Sequence, residues 1–420
     1  MLANLRKQYN RFPAKFWVLV GTVFIDMIGG TLLWPFFALY ITQKFHVGMT
    51  QAGIILGASS LSGLFAGAVG GAMTDRFGRK SIILFGLVFS AISALSLAVV
   101  NDLKLMFIFA LVIGFLGSIA GPAHNAMVAD MLPEEKRSEG FGIIRVVANI
   151  SWIIGPSIGG FLASRSYLYL FIIDAVLSLI TAAVFFKLIP ETKPEHKENT
   201  EHESLGKTIL GYRFVFKDLA FIGFLAVSIV MLLVYQQMYN TLSVYLRDFH
   251  HIPTQQYGML MSASAILVVL TQIWVTRKTK KYPPLTMMAL GAAFYAIGFS
   301  AFGFFSAYLI FVSAILIITI GEMITVPVSQ ALVAKFAPEE MRGRYMAIFG
   351  LSWGIPQTIG PVAAGLILDN SDPRLLWYIG GVLCLVAVAG YLALHARLKG
   401  QERFAAPGDD EPEELAIAAE

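Results

Sequence analysis

The chain has 420 residues, is 57% hydrophobic and 14% charged, and carries a formal net charge of +4. That leaves too little polar surface to cover a water-soluble globule of two or three domains, so the sequence is that of an integral membrane protein. The bases are spread over many short segments, which excludes a nucleic-acid partner, and the single cysteine, Cys384, excludes an intramolecular disulfide framework and a cysteine-based metal cluster.

The basic amino end leads into an apolar stretch at 16–41, longer than the apolar region of a signal peptide and without a small-residue cleavage site; it is read as a retained first span. Apolar windows of spanning length follow at 50–73, 81–100, 105–128, 140–163, 167–188, 219–246, 255–276, 284–304, 307–333, 343–368 and 374–396. The expected fold is therefore an all-α membrane protein of twelve transmembrane helices. With both termini cytoplasmic, the loops obey the positive-inside rule. Lys44, Lys104, Arg165, Arg247 and Arg374 fall outside, Arg145 lies within a span, and the rest of the 31 Lys and Arg are cytoplasmic. The expected location is a cell membrane, either a bacterial inner membrane or a plasma membrane, crossed many times.

The first charged turn, "GGAMTDRFGRKS", gathers Asp75, Arg76, Arg79 and Lys80 around Gly78, and such a cluster has to sit where the chain turns in water. Topology anchoring accounts for the bases and leaves Asp75 unexplained. In span five, "GFGIIRVVANISWIIGPSIGG" spaces Gly142, Gly155, Gly159 and Gly160 so that neighbouring spans can approach closely, and Pro156 bends the helix. The polar segment 189–217 divides the chain. The expected organisation is a six-helix bundle at 1–188, a flexible cytoplasmic linker at 189–217, a second six-helix bundle at 218–398 and a disordered tail at 399–420.

The halves repeat one another. Asn125 to Gly160 aligns without a gap against Gln330 to Gly365, matching Pro-Glu-Glu, the following Arg and the later Gly-Pro. A duplicated six-span unit is how one large class of secondary transporters is built, with the substrate site between the halves near the bilayer midplane. In the same register Lys280 stands opposite Asp75 and Lys335 opposite Asp130, so any function of these acids is asymmetric.

Ionisable side chains within spans are costly and need a reason. Glu322 lies midway along span ten beside a Pro-interrupted stretch, and Asp26 midway along span one; both are read as functional. Arg145, near the cytoplasmic end of span five, is equally a counter-ion or a snorkelling anchor. Asp174 in span six and His124 in span four are read as structural. In span seven, "YQQMYN" places Tyr235, Gln236 and Tyr239 on one helical face, where they either bind a bulky apolar ligand or bond between helices.

The duplicated twelve-span pattern, the charged turn and the span-five glycines resemble the major facilitator superfamily, in particular its drug:proton antiporter branch, over residues 16–397. The resemblance implies a fold of two pseudo-symmetric six-helix bundles in which spans one, four, seven and ten line the cavity and span six is peripheral. It also implies that Gly71, Asp75, Arg76, Gly78, Arg79 and Lys80 form a conformational latch. In that latch Asp75 pairs toward the start of span eleven while Arg79 bonds Asp130. Gly142, Gly155, Pro156, Gly159 and Gly160 match the antiporter signature, with Ser151 where a glycine is usual. Span four departs from the family, since Ala110 and Ile113 precede Gly114 where an Arg and a Gln are expected.

The expected function is proton-coupled efflux of lipophilic or cationic small molecules by alternating access, without cofactor or metal. The partners would be a small-molecule substrate, protons and the bilayer, and the protein a monomer. Export or flipping of a lipid, sugar or metabolite is the alternative within transporters. A membrane-embedded enzyme or non-transporting receptor is the alternative from another class, against which stand the lack of a nucleotide-binding loop or HExxH motif and the presence of Glu322.

Overall fold

A computed structural model describes residues 11–193, 212–338 and 341–399. The tail from residue 400 and most of the 189–217 linker lie outside the described residues, and so does the Glu339–Glu340 pair of the second repeat. Twelve helices are long and apolar enough to cross a membrane, and no strand occurs among the described residues. In hydrocarbon every backbone N–H and C=O must be satisfied within its own segment, which leaves the helix as the only open-chain solution.

The spans run Ala14–Phe45, Met49–Gly67, Arg79–Val99, Leu103–Met131, Glu134–Ala163, Tyr167–Leu188, Leu219–Asn240, Thr254–Thr279, Pro284–Phe304, Tyr308–Phe336, Arg342–Asn370 and Arg374–Leu398. The helix of span two continues to Phe77, where Gly78 (φ +92°) ends it in a conformation that a side chain would strain. Three spans are irregular. Span one passes through a 3-10 turn at Trp34–Phe36 around Pro35, span four loosens at Ile119 and span seven at Gln236, both with helical backbone angles, and span seven turns at Thr241 before a last helix, Leu242–His250.

By contacts the chain forms two compact units. One gathers the described parts of Met1–Thr200 with Gln237–Val269 and Gln357–Pro373; the other holds those of Glu201–Gln236, Leu270–Pro356 and Arg374–Glu420. Lipid tails are as apolar as leucine, so helix association inside a membrane depends on close packing rather than on exclusion of water. In the first unit glycine supplies that closeness. A Cβ on Gly155 would strike Thr31 of span one, and one on Gly159 would strike the Leu32 carbonyl. A Cβ on Gly160 would stand 3.1 Å from Gln255 Cα, and one on Gly258 would strike the Pro156 carbonyl, so spans five and eight touch backbone to backbone. Ser157 and Ser262 close the same seam at 2.6 Å. Gly142 is the exception among the span-five glycines: nothing lies within 4 Å of where its Cβ would be, so helix packing does not require it.

The second unit is packed by aromatic rings. Phe224 stacks on Phe336 and Phe349, Phe299 lies parallel to Trp377, and Tyr235 stacks on Tyr295 with Trp353 set edge-on. Such pairs contribute roughly 0.5–1.5 kcal/mol each beyond the area they bury. The contrast between glycine seams and aromatic stacks yields a test. Gly258→Val should abolish recovery of a monodisperse protein in size-exclusion chromatography. Gly142→Ala should leave the melting temperature unchanged or slightly higher, because Gly in a helix interior costs about 0.5–1 kcal/mol relative to Ala.

Candidate functional site

The first unit contains an open cavity of about 630 Å³, within the range of small-molecule sites. Its walls combine aromatic rings, Trp34, Phe37, Phe89 and Trp152, with the titratable side chains Asp26, Asp174 and His124. No Lys or Arg lines it. Neither carboxylate has a hydrogen-bond or ion-pair partner among the described residues.

Asp174, read from the sequence as structural on a peripheral span, stands at this cavity. It is 6% exposed and lines the cavity. The cause is Gly29: a Cβ there would collide with the Asp174 carboxylate, so the bare backbone of span one admits the side chain from span six. Asp26 sits one helical turn before Gly29, and i,i+3 positions share a helix face. The Gly29–Gly30 pair after Asp26 was the signal available in the sequence. His124 lines the same cavity, as do Ala110 and Ile113, the two apolar residues found where the family carries Arg and Gln.

Glu322 does not line this cavity; it is half-buried in the second unit, and its backbone carbonyl accepts from Thr325 Oγ1 at 3.4 Å. Arg145 is exposed and pairs with no acid among the described residues. Around Tyr235, Gln236 and Tyr239 the helix loosens without turning away, since Gln236 keeps helical backbone angles (φ −63°, ψ −20°) and its N–H still donates to the Leu232 carbonyl at 3.0 Å. Tyr235 joins the Tyr295 stack of the second unit, Gln236 is buried, and Tyr239 meets Trp152 edge-on at 5.3 Å in the first. The Thr241 hydroxyl donates to the Gln237 side-chain oxygen at 2.6 Å where span seven turns.

The charged turn is built around Arg79, which is almost wholly buried. Its Nε donates to Asp130 Oδ2 at 3.0 Å, and Nη1 lies 3.3 Å from Asp75 Oδ1 on the preceding turn. The Asp75 side chain is otherwise 76% exposed. Lys80 donates to the Phe186 carbonyl at 2.8 Å, and Arg76 lies over the Phe77 ring. Nothing lies within 4 Å of a Cβ on Gly71.

Two carboxylates that sequence reasoning missed cap span ends in this unit. Glu191, beyond span six, accepts from the backbone N–H of Arg79 at 2.9 Å and of Lys80 at 3.1 Å, filling the space beside Gly78. Asp369, at the end of span eleven, accepts from Met49 N at 2.9 Å and Thr50 N at 2.8 Å, with Gly48 leaving room for it. The first N–H groups of a helix lack intrahelical partners and carry partial positive charge, which makes both positions favourable for an anion. Both caps join residues more than a hundred positions apart, beyond the reach of local pattern reading.

Comparison with known proteins agrees with the architecture. A Na(+), Li(+), K(+)/H(+) antiporter of Planococcus maritimus is 27% identical over 387 residues, 86% of this chain and 89% of that one. Multidrug resistance protein MdtH of Shigella flexneri is 22% identical over 393 residues, 93% of this chain and 95% of that one. The crystal structure of the nucleoside transporter NupG superposes with a TM-score of 0.76 at 17% identity, over 91% of this chain and 99% of that one, a likeness of fold alone. The family model of the Major Facilitator Superfamily matches residues 19–355 and 251–417. With twelve apolar spans and a model match across nearly its whole length, the chain belongs to the Major Facilitator Superfamily and is a multi-pass membrane transporter.

Proposed function

We propose that the protein exports lipophilic organic cations in exchange for protons, through the cavity of its first unit. The observation that carries this reading is the wall of that cavity: aromatic rings and two acids without a partner among the described residues, with His124 but no Lys or Arg beside them. A cation over an aromatic face is held by the ring quadrupole, and a carboxylate in an apolar wall is neutralised by a proton or by a cationic ligand. The two cannot occupy one carboxylate together, so proton binding on one side of the membrane expels the cation there. Exchange of this kind is in keeping with the relatives, one an antiporter of alkali cations and protons and another a multidrug resistance protein.

Asp26 takes the coupling role in this reading, in place of Glu322, because Asp26 faces the aromatic wall and Glu322 does not line it. The charged turn acts as a latch: Arg79 holds Asp130, and Asp75 is left accessible for a partner in another conformation. Each charge–helix contact of this type is worth about 0.3–1 kcal/mol, enough to bias a two-state equilibrium without locking it. Both termini lie on the cytoplasmic side, and the protein works as a monomer without nucleic acid.

Everted vesicles with an imposed pH gradient provide the test. Asp26→Asn should lower gradient-driven tetraphenylphosphonium transport at least about tenfold, with Glu322→Gln having the smaller effect; transport by Asp26→Asn at the parent rate would remove the acid from the mechanism. For the latch, Asp75→Asn and Glu191→Gln should slow turnover while equilibrium affinity for tetraphenylphosphonium stays within about threefold, since neither residue lines the cavity. A loss of affinity with unchanged turnover would show that the turn shapes the binding site instead.

A further inference from the structure

The aromatic walls account for an organic ligand and Asp26 for the exchanged proton, but two further oxygen-bearing side chains buried in the cavity have no role in that exchange. Asp174 is 6% exposed and Ser93 is 7% exposed; both line the cavity. Among the described residues neither the Ser93 hydroxyl nor Asp174 has a hydrogen-bond partner. A buried hydroxyl left unbonded costs about 1–3 kcal/mol, and a buried charge left unpaired costs more. Asp26, on the facing helix, is the third.

These side chains stand at one depth. Spans alternate direction, so Ala14, Arg79 and Leu188 mark the same side. Asp26 lies twelve residues along from Ala14, Ser93 fourteen from Arg79 and Asp174 fourteen from Leu188. At 1.5 Å per residue those positions are about 18, 21 and 21 Å from that side. His124, seven residues from Met131 on the same side, is at about 10 Å and belongs to another level of the cavity. Spans one, three and six therefore present two carboxylates and a hydroxyl to one level of the same cavity, a donor set of oxygen only.

We infer that Asp26, Asp174 and Ser93 form a binding site for a bare alkali cation of the Na⁺ type. The inference deepens the proposed function, on which it rests only in taking the cavity to be reached from water. Oxygen donors select hard cations over the transition metals, which favour nitrogen and sulfur. Ca²⁺ takes six to eight oxygens and Mg²⁺ gives up its water reluctantly, whereas three protein oxygens with a few retained waters suit a singly charged ion. No cluster of three acids, His or Cys fit for a divalent metal occurs among the described residues. An unbonded neutral hydroxyl on a level with two carboxylates is a further oxygen that a cation uses and that a proton does not need.

The test uses the full chain, purified in nanodiscs, with Na⁺ as the probe and choline chloride as the ionic-strength control. Isothermal titration should show Na⁺ binding, and Na⁺ but not choline should raise the melting temperature. Asp174→Asn should weaken Na⁺ affinity at least about tenfold, since the loss of a support to a ligand alone costs 10–100-fold in metal sites. Ser93→Ala, which only removes an unbonded oxygen and keeps the test alive if the Asp174 variant misfolds, should weaken it about threefold or more. The site is overturned if Na⁺ acts no differently from choline, or if both variants bind Na⁺ like the parent. Loss of proton-driven tetraphenylphosphonium export by a parent protein that still binds Na⁺ would refute the export reading and leave this one standing.

Discussion

Backbone contact between spans is the constraint on which the rest of the first unit depends. With no water to exclude between helices, spans one, five and eight hold together because Gly155, Gly159, Gly160 and Gly258 let main chains touch. Spans two and eleven repeat the device, where a Cβ on Gly53 would strike the Pro361 carbonyl and one on Gly57 the Thr358 carbonyl. Seams this tight fix the rotation of each helix about its axis, and rotation decides which side chains face a cavity. Gly29 shows the link most directly: the same absence of a side chain that brings spans one and six together also admits the Asp174 carboxylate.

Charge placement follows from that packing. A carboxylate inside a membrane is tolerated only with a partner, a helix terminus or a polar cavity, and this chain uses all three. Asp130 has Arg79, Glu191 and Asp369 have helix starts, and Asp26 and Asp174 have the cavity. The first two groups are satisfied by protein alone. The third has no protein partner among the described residues, which is why the proposed function places its exchange there.

The spans were legible in the sequence because the bilayer sets their length and composition, so the windows at 81–100, 167–188 and 284–304 match the helices nearly residue for residue. Asp26 was legible as a costly anomaly in an apolar run. Asp174 was equally visible as an anomaly, but which way it points depends on the rotation of span six against Gly29, and no periodicity within a uniformly apolar span reports rotation. Tyr235 and Tyr239 are a related case: i,i+4 spacing sets them on one side of a helix, but the rings they meet, Tyr295 and Trp152, lie in distant spans that no local pattern names. The caps by Glu191 and Asp369 join distant residues that share only charge complementarity, and many acids in the loops were equally eligible.

Glu191 also has a mechanical meaning. The chain leaving span six does not swing free at Leu188: Glu191 holds the start of span three, Thr192 reaches Asp130 at 3.4 Å, and Lys193 donates to the Arg76 carbonyl at 3.0 Å. The connection to the second half is thus moored to the charged turn itself. A pull on the chain beyond Lys193 would therefore meet the hydrogen bonds at Arg79 and Lys80 before it reached the end of span six.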